Sequence, residues 1–193
     1  MSTASELPII PFESQEAWRQ WLDANHASPT GIWLQFAKKD SGIASVSYVE
    51  AVQVALCYGW IDGQAKSYDA EHWLQRFTPR RPKSIWSKVN RDRAMALMAE
   101  GKMQAAGLRE VERAKADGRW ERAYDGQKNA TVPEDLQREF DRNRAAAEFF
   151  ASLDSTNRFA VLFRIQTAGT PALRAARIEK LITMLAEKKA IHR

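Results

Sequence analysis

Cys57 is the only cysteine in 193 residues, so no internal disulfide can form, and the usage fits a reducing compartment. Histidine is scarce as well. His26, His72 and His192 are scattered, without cysteine, histidine or carboxylate neighbours at ligand spacing, and no metal site is expected. No apolar run approaches the roughly 20 residues needed to span a bilayer. The opening stretch MSTASELPIIPFESQEAW lacks the basic and apolar regions of a secretory signal. A soluble, cytoplasmic protein without membrane insertion is therefore expected. Gly-x-Ser-x-Gly, Walker and Gly-x-Gly-x-x-Gly patterns are all missing, and no cofactor is implied.

What is present is ordinary globular material, 45% apolar and 27% charged, long enough to bury a core without metal or disulfide support. The net charge of +5 is unevenly placed. Residues 75–93 hold Arg76, Arg80, Arg81, Lys83, Lys88, Arg91 and Arg93 against Asp92 alone, a local +6, which leaves −1 for the rest. A basic site or stripe fits this distribution better than a surface that coats nucleic acid.

All seven tryptophans lie at or before residue 120, and the C-terminal third is rich in Ala, Leu, Ile, Arg and Lys. A polar, turn-rich segment at 125–133 separates the two compositions. The reading is an α+β domain over 1–126, followed by a helical C-terminal region over 127–193. Ser14 opens a helix with Ala17, Trp18, Trp21 and Leu22 on one stripe. Residues 32–38 alternate as a strand. Ser47 and Glu50 form a capping box ahead of a nearly all-apolar helix, with Gly59 at its C′ position. Two strand-like runs flank 67–71 as a hairpin. If their paired positions sum to 139, Asp62, Gln64, Gln75 and Phe77 share a face. Helices follow from Ser87, with Val89, Ala94, Leu97 and Met98 as an inner stripe. Further helices carry Leu108 and Val111, then Leu136 and Phe140, then Phe159 and Leu162. Thr170-Pro171 opens the last, with Ile178, Leu181, Ile182 and Leu185 facing a core. The fold class is α+β: a small antiparallel sheet packed with helices, then a helical part.

The segments ALCYGWIDGQ (55–64), QRFTPRRPKSIWSKVN (75–90), EGKMQAAGL (100–108), AKADGRWERAYD (114–125) and TPALRAARIEKL (170–181) resemble the YdeI/OmpD-associated family of bacterial proteins, in order from about residue 6 to 190. The resemblance implies a context of protection against bacteriocins and other stresses, and association with a porin. It implies no reaction. Some members are described as periplasmic, a location at odds with the missing signal here.

The four cations Arg76, Arg80, Arg81 and Lys83 crowd in front of a helix start, where the helix dipole favours acids. A bound anion would resolve the conflict. Thr78-Pro79 and Arg81-Pro82 keep the backbone extended, Ser84 or Ser87 is the expected N-cap, and free N–H groups beside guanidinium groups make an anion site. Trp86 either stacks on a ligand ring or lies in the core. Asn90 either faces a ligand or caps. Asp62 has three readings: a turn residue, an ion-pair partner of Arg76 or Arg80, or a general base. Gln64 accompanies it. Cys57 reads as a buried, inert thiol. The leading function is a non-enzymatic binder of an anionic small molecule. The alternatives are an enzyme on a phosphorylated or carboxylated small molecule, with Asp62 as base, and, ranked lower, a single-stranded nucleic-acid binder using Trp73, Phe77 and Trp86. Nothing specifies an oligomer.

Overall fold

A computed structural model describes residues 7–192. The order of elements is β1 (Ile9–Pro11), α1 (Gln15–Asn25), β2 (Ile32–Ala37), α2 (Tyr48–Cys57), β3 (Trp60–Ser67), β4 (His72–Pro79), α3 (Lys88–Ala99), α4 (Ala105–Ala116), α5 (Glu134–Arg142), α6 (Arg144–Ser152), α7 (Ser155–Gln166) and α8 (Pro171–Ala186). This is an α+β fold. It divides into two compact units, one of residues up to 84 with 90–120, the other of 85–89 with 121 onward.

The first unit is built on a four-stranded sheet in the order β1-β2-β4-β3. The β2–β4 and β4–β3 pairs are antiparallel, as expected, but β1 lies parallel to β2. Strand β1 is three residues long, too short to show alternation in the sequence. The parallel pairing is possible because α1 supplies the long crossover that such strands need. Ser14 caps α1 by accepting from Ala17 N at 3.2 Å. Ser47 and Glu50 form the expected capping box on α2, and Gly59 follows with φ +75°, which a side chain would strain.

One sheet face is closed by an aromatic cluster. Ile32, Leu34 and Phe36 alternate inward from β2, opposite Phe77, Gln75 and Trp73 of β4. Trp18, fully buried, sits 5.7 Å from Phe77 and 5.4 Å from a stacked Trp21. Its Nε1 donates to the Ala51 carbonyl at 3.1 Å, and Trp60 Nε1 donates to that of His26 at 2.9 Å. Each indole thus hides its apolar body while its polar N–H stays bonded. Such burial is worth about 4–6 kcal/mol per ring at about 25 cal/mol per Å2. Helices α2 and α4 meet at Gly107, where a Cβ would stand 2.3 Å from the Cys57 carbonyl oxygen.

The hairpin register follows the expected sum of 139 only from Trp60 to Asp62. A bulge between Asp62 and Ala65 then shifts it, so that Ala65 faces Gln75. Gln64 therefore leaves the face shared by Asp62, Gln75 and Phe77. Gln75, buried, donates from Nε2 to the Gly63 carbonyl at 2.7 Å, satisfying a polar group that the interrupted ladder leaves over. In α3, Ala94 and Leu97 are buried as expected, Met98 is half-buried, and Val89 is exposed.

The second unit packs its own core from Leu136, Phe140, Phe150, Val161, Ile165, Ile178, Leu181 and Leu185 across α5 to α8. Thr170 caps α8 on Leu173 N, with Pro171 in the first turn. Helix α6 is not separately visible in the sequence, because it follows α5 with one residue between. That residue, Asn143, ends α5 and caps α6 by accepting from Ala146 N at 3.1 Å. Asn157 is buried in α7, and its Oδ1 accepts from the Ile191 and His192 N–H groups at 3.1 and 2.8 Å, pinning the C-terminal segment. Arg174 grips Asp135 through two bonds of 2.6 and 2.8 Å.

Two predictions follow from these contacts. Ser47→Ala removes one half of the capping box and should lower unfolding stability by about 1 kcal/mol, read from urea denaturation. The Arg174 hydrogen bonds hold the Asp135 carboxyl below its ordinary value of 3.8. A carboxyl whose pKa is lowered by folding stabilises the fold fully above its unfolded value and loses that contribution as pH falls through the lowered one. Wild type should therefore exceed Asp135→Asn in melting temperature at pH 7, and the gap should close as the pH drops below 3.8.

Candidate functional site

The end of β4 builds the densest cationic feature of the first unit. Strand β4 runs between β2 and β3, and Arg76, paired with Trp33, projects from the face opposite Phe77. The Arg80 N–H donates to the Gly59 carbonyl at 2.9 Å, carrying the chain beyond the last ladder pair. Residues 81–84 then close a turn. The Ser84 N–H donates to the Arg81 carbonyl and the Arg81 N–H to Ser84 Oγ, each at 2.9 Å. Arg119 fastens this turn, since its Nη1 donates to the Ser84 carbonyl while its Nε is held by Asp117. Nothing in the local pattern around Arg119 signals this role, because the contact spans 35 positions of chain.

Around this corner lies a cavity of about 360 Å3 lined by Arg76, Arg80 and Arg81, with Thr78, Pro79 and Pro82 from the same segment and Pro29–Gly31 opposite. The Pro29-Thr30-Gly31 loop reads in the sequence only as a helix break, so its part in the lining was not legible there. Three arginines thus line one small space. Among the described lining residues there is no carboxylate. Arg80 is buried. The Nε of Arg76 is buried and has no hydrogen-bond partner among the described residues.

The other expected site residues lie elsewhere. Lys83 is exposed on the turn, and the Ser84 hydroxyl is occupied by Arg81 N. In the second unit, Trp86 is 1% exposed and its carbonyl accepts from Tyr124 N, so its ring offers no open face for stacking. Ser87 bridges to Tyr124, and the Lys88 N–H donates to the Tyr124 carbonyl at 2.8 Å. The first N–H of α3 is therefore already bonded rather than open to an anion. Asn90 Oδ1 accepts from Arg93 Nη1 at 3.4 Å.

Asp62 accepts from the Tyr48 hydroxyl at 2.7 Å. Gln64 is exposed beyond the bulge. Of the aromatics a single-strand binder would present, Phe77 is fully buried and Trp73 stacks on Phe36 at 4.6 Å. His72 Nδ1 meets Asp69 at 2.9 Å within the hairpin turn, and among the described residues no three His, Cys, Asp or Glu side chains gather as metal ligands do. Nor is any helix among them long and apolar enough to cross a membrane.

Comparison with known families divides the chain in two. The family described as bacteriocin-protection, YdeI or OmpD-associated matches residues 129–188. That match covers 60 of the 193 residues, all in the C-terminal part of the chain. A domain of unknown function, DUF8412, matches residues 10–110, just over half of the chain, so the protein belongs to that domain family. The GWIDGQ and RFTPRRPKSIWS motifs fall within the DUF8412 match, whereas TPALRAARIEKL falls within the YdeI/OmpD-associated one. Of the segments read as resembling the YdeI/OmpD-associated family, only 170–181 lies in that family's match; 55–64, 75–90 and 100–108 lie in the DUF8412 match, and 114–125 lies in neither. No curated protein and no solved structure matches the chain.

Cys57 is buried, and loss of solvent pushes its thiol up to about 11. The thiolate, not the thiol, is the nucleophile. Iodoacetamide at pH 7.5 should therefore alkylate Cys57 in folded protein at least tenfold more slowly than in urea-unfolded protein, measured by intact mass.

Proposed function

We propose that this protein, similar over its C-terminal part to the YdeI/OmpD-associated family, is a cytoplasmic, non-enzymatic binder of a small phosphate-bearing anion, taken at the Arg76–Arg80–Arg81 cavity. The observation that carries the reading is the lining itself: three arginines and no acid among the described lining residues. Guanidinium groups held this close repel one another, and a multivalent anion relieves the repulsion while accepting forked hydrogen bonds. A phosphate suits such a site better than a monocarboxylate, because it offers more acceptor oxygens and more than one negative charge. Asp62 takes no part in this reading, since it is engaged by the Tyr48 hydroxyl.

The test uses inorganic phosphate and pyrophosphate, titrated calorimetrically into the full chain at low and moderate salt. Saturable binding is expected, with pyrophosphate tighter. Arg76→Gln should weaken it about tenfold or more, the loss of a charge-assisted hydrogen bond worth about 1.5–3 kcal/mol. Arg81→Ala, exposed and remote from the core, should weaken binding without moving the melting temperature. Arg80 is a poorer probe because it is buried. Binding that is absent in wild type, or unaltered in both variants, would reject the proposal.

A further inference from the structure

The first unit holds a second and larger cavity, of about 690 Å3, within the range of small-molecule sites. Two helical stripes wall it. Gln53, Val54 and Cys57 come from α2, and Arg93, Ala96 and Leu97 from α3. Val54, Cys57 and Leu97 are buried and give the cavity an apolar floor.

The polar groups around this floor are unequally committed. Glu16 is paired with Arg19 and Glu100 with Lys102, each pair substantially exposed to solvent. Glu50 spends one carboxylate oxygen on the Ser47 N–H and hydroxyl, at 2.9 and 2.7 Å. The Tyr58 hydroxyl donates to Asp23, and burial pushes its pKa up to about 12, so it stays protonated. Two groups remain. Gln53 has no hydrogen-bond partner among the described residues. Arg93 has one long bond of 3.4 Å, to Asn90 Oδ1, which leaves most of its five N–H donors unused.

From these groups we infer a second ligand site, for a monocarboxylate with a short apolar body. The carboxylate is held by the Arg93 fork and the Gln53 amide, and the body lies on Val54, Cys57 and Leu97. A guanidinium matches one carboxylate through two parallel bonds. A dianion is disfavoured here, because among the described residues Arg93 is the one cation of the lining without an acidic partner, and Glu50 shares the space. The site thus differs in kind from the arginine cavity and does not depend on it.

Hexanoate, 1-hexanol and hexylamine, each titrated calorimetrically to 20 mM into the full chain, test the inference. Hexanoate should bind saturably at one site, at least tenfold more tightly than hexanol, and hexylamine should not bind. Arg93→Ala should weaken hexanoate at least tenfold. Ala96 is exposed to the cavity, so Ala96→Phe should fill the space and abolish binding while the melting temperature holds, which keeps the test valid if Arg93→Ala is poorly folded. Arg76→Gln should leave hexanoate binding unchanged. Absent binding, equal binding of hexanol and hexanoate, or full affinity in Ala96→Phe would overturn the site. Displacement of hexanoate by inorganic phosphate would place both anions at the arginine cavity, and would overturn it too.

Discussion

Strand β4 is the member on which the first unit depends. It pairs on both sides, with β2 and with β3, so Trp73, Leu74, Gln75 and Phe77 are each fixed in register by two neighbours. One face presses Phe77 against Trp18. The opposite face and the trailing end deliver Arg76, Arg80 and Arg81 to a single cavity. A strand anchored by buried aromatic surface can hold mutually repelling charges at its end, because drawing them apart would mean withdrawing Phe77 from the core. Apolar burial of this size outweighs the repulsion between partly solvated guanidinium groups, which amounts to about 1–4 kcal/mol per pair at effective dielectric constants of roughly 80–20.

The two cavities of this unit differ in the charge of their linings. One gathers cations with no carboxylate among its described lining residues, the other balances them in pairs and leaves one over. This follows from the elements that make them. A strand end and its extended Pro-bracketed continuation place consecutive side chains close together, so Arg80 and Arg81 cannot avoid each other. Facing helices select every third or fourth residue, which admits Val54 and Leu97 beside Gln53 and Arg93 and yields an amphipathic wall.

Local chemistry was legible in the sequence wherever it was self-contained. The Ser47–Glu50 box, the Ser14 and Thr170 caps and the hairpin around 67–71 need only neighbouring residues, and each stands where the spacing placed it. The apolar stripe of α8 was equally plain. What escaped depends on distant partners or on very short elements: β1, the bulge at Gly63, the one-residue junction at Asn143 and the Arg119 fastening. The charge cluster at 76–81 was visible as a cluster. That the N–H of Lys88 is taken by Tyr124 was not, because no local rule couples positions 36 residues apart.

The second unit takes residues 85–89 from the middle of the chain as well as 121 onward. The YdeI/OmpD-associated match, 129–188, contains none of that inserted piece. A single proteolytic nick between the two matched stretches would therefore not release two complete bodies, since the bridge from Ser87 to Tyr124 would be severed from one of them. A fragment that begins after residue 120 would lack residues 85–89, a strip this unit includes.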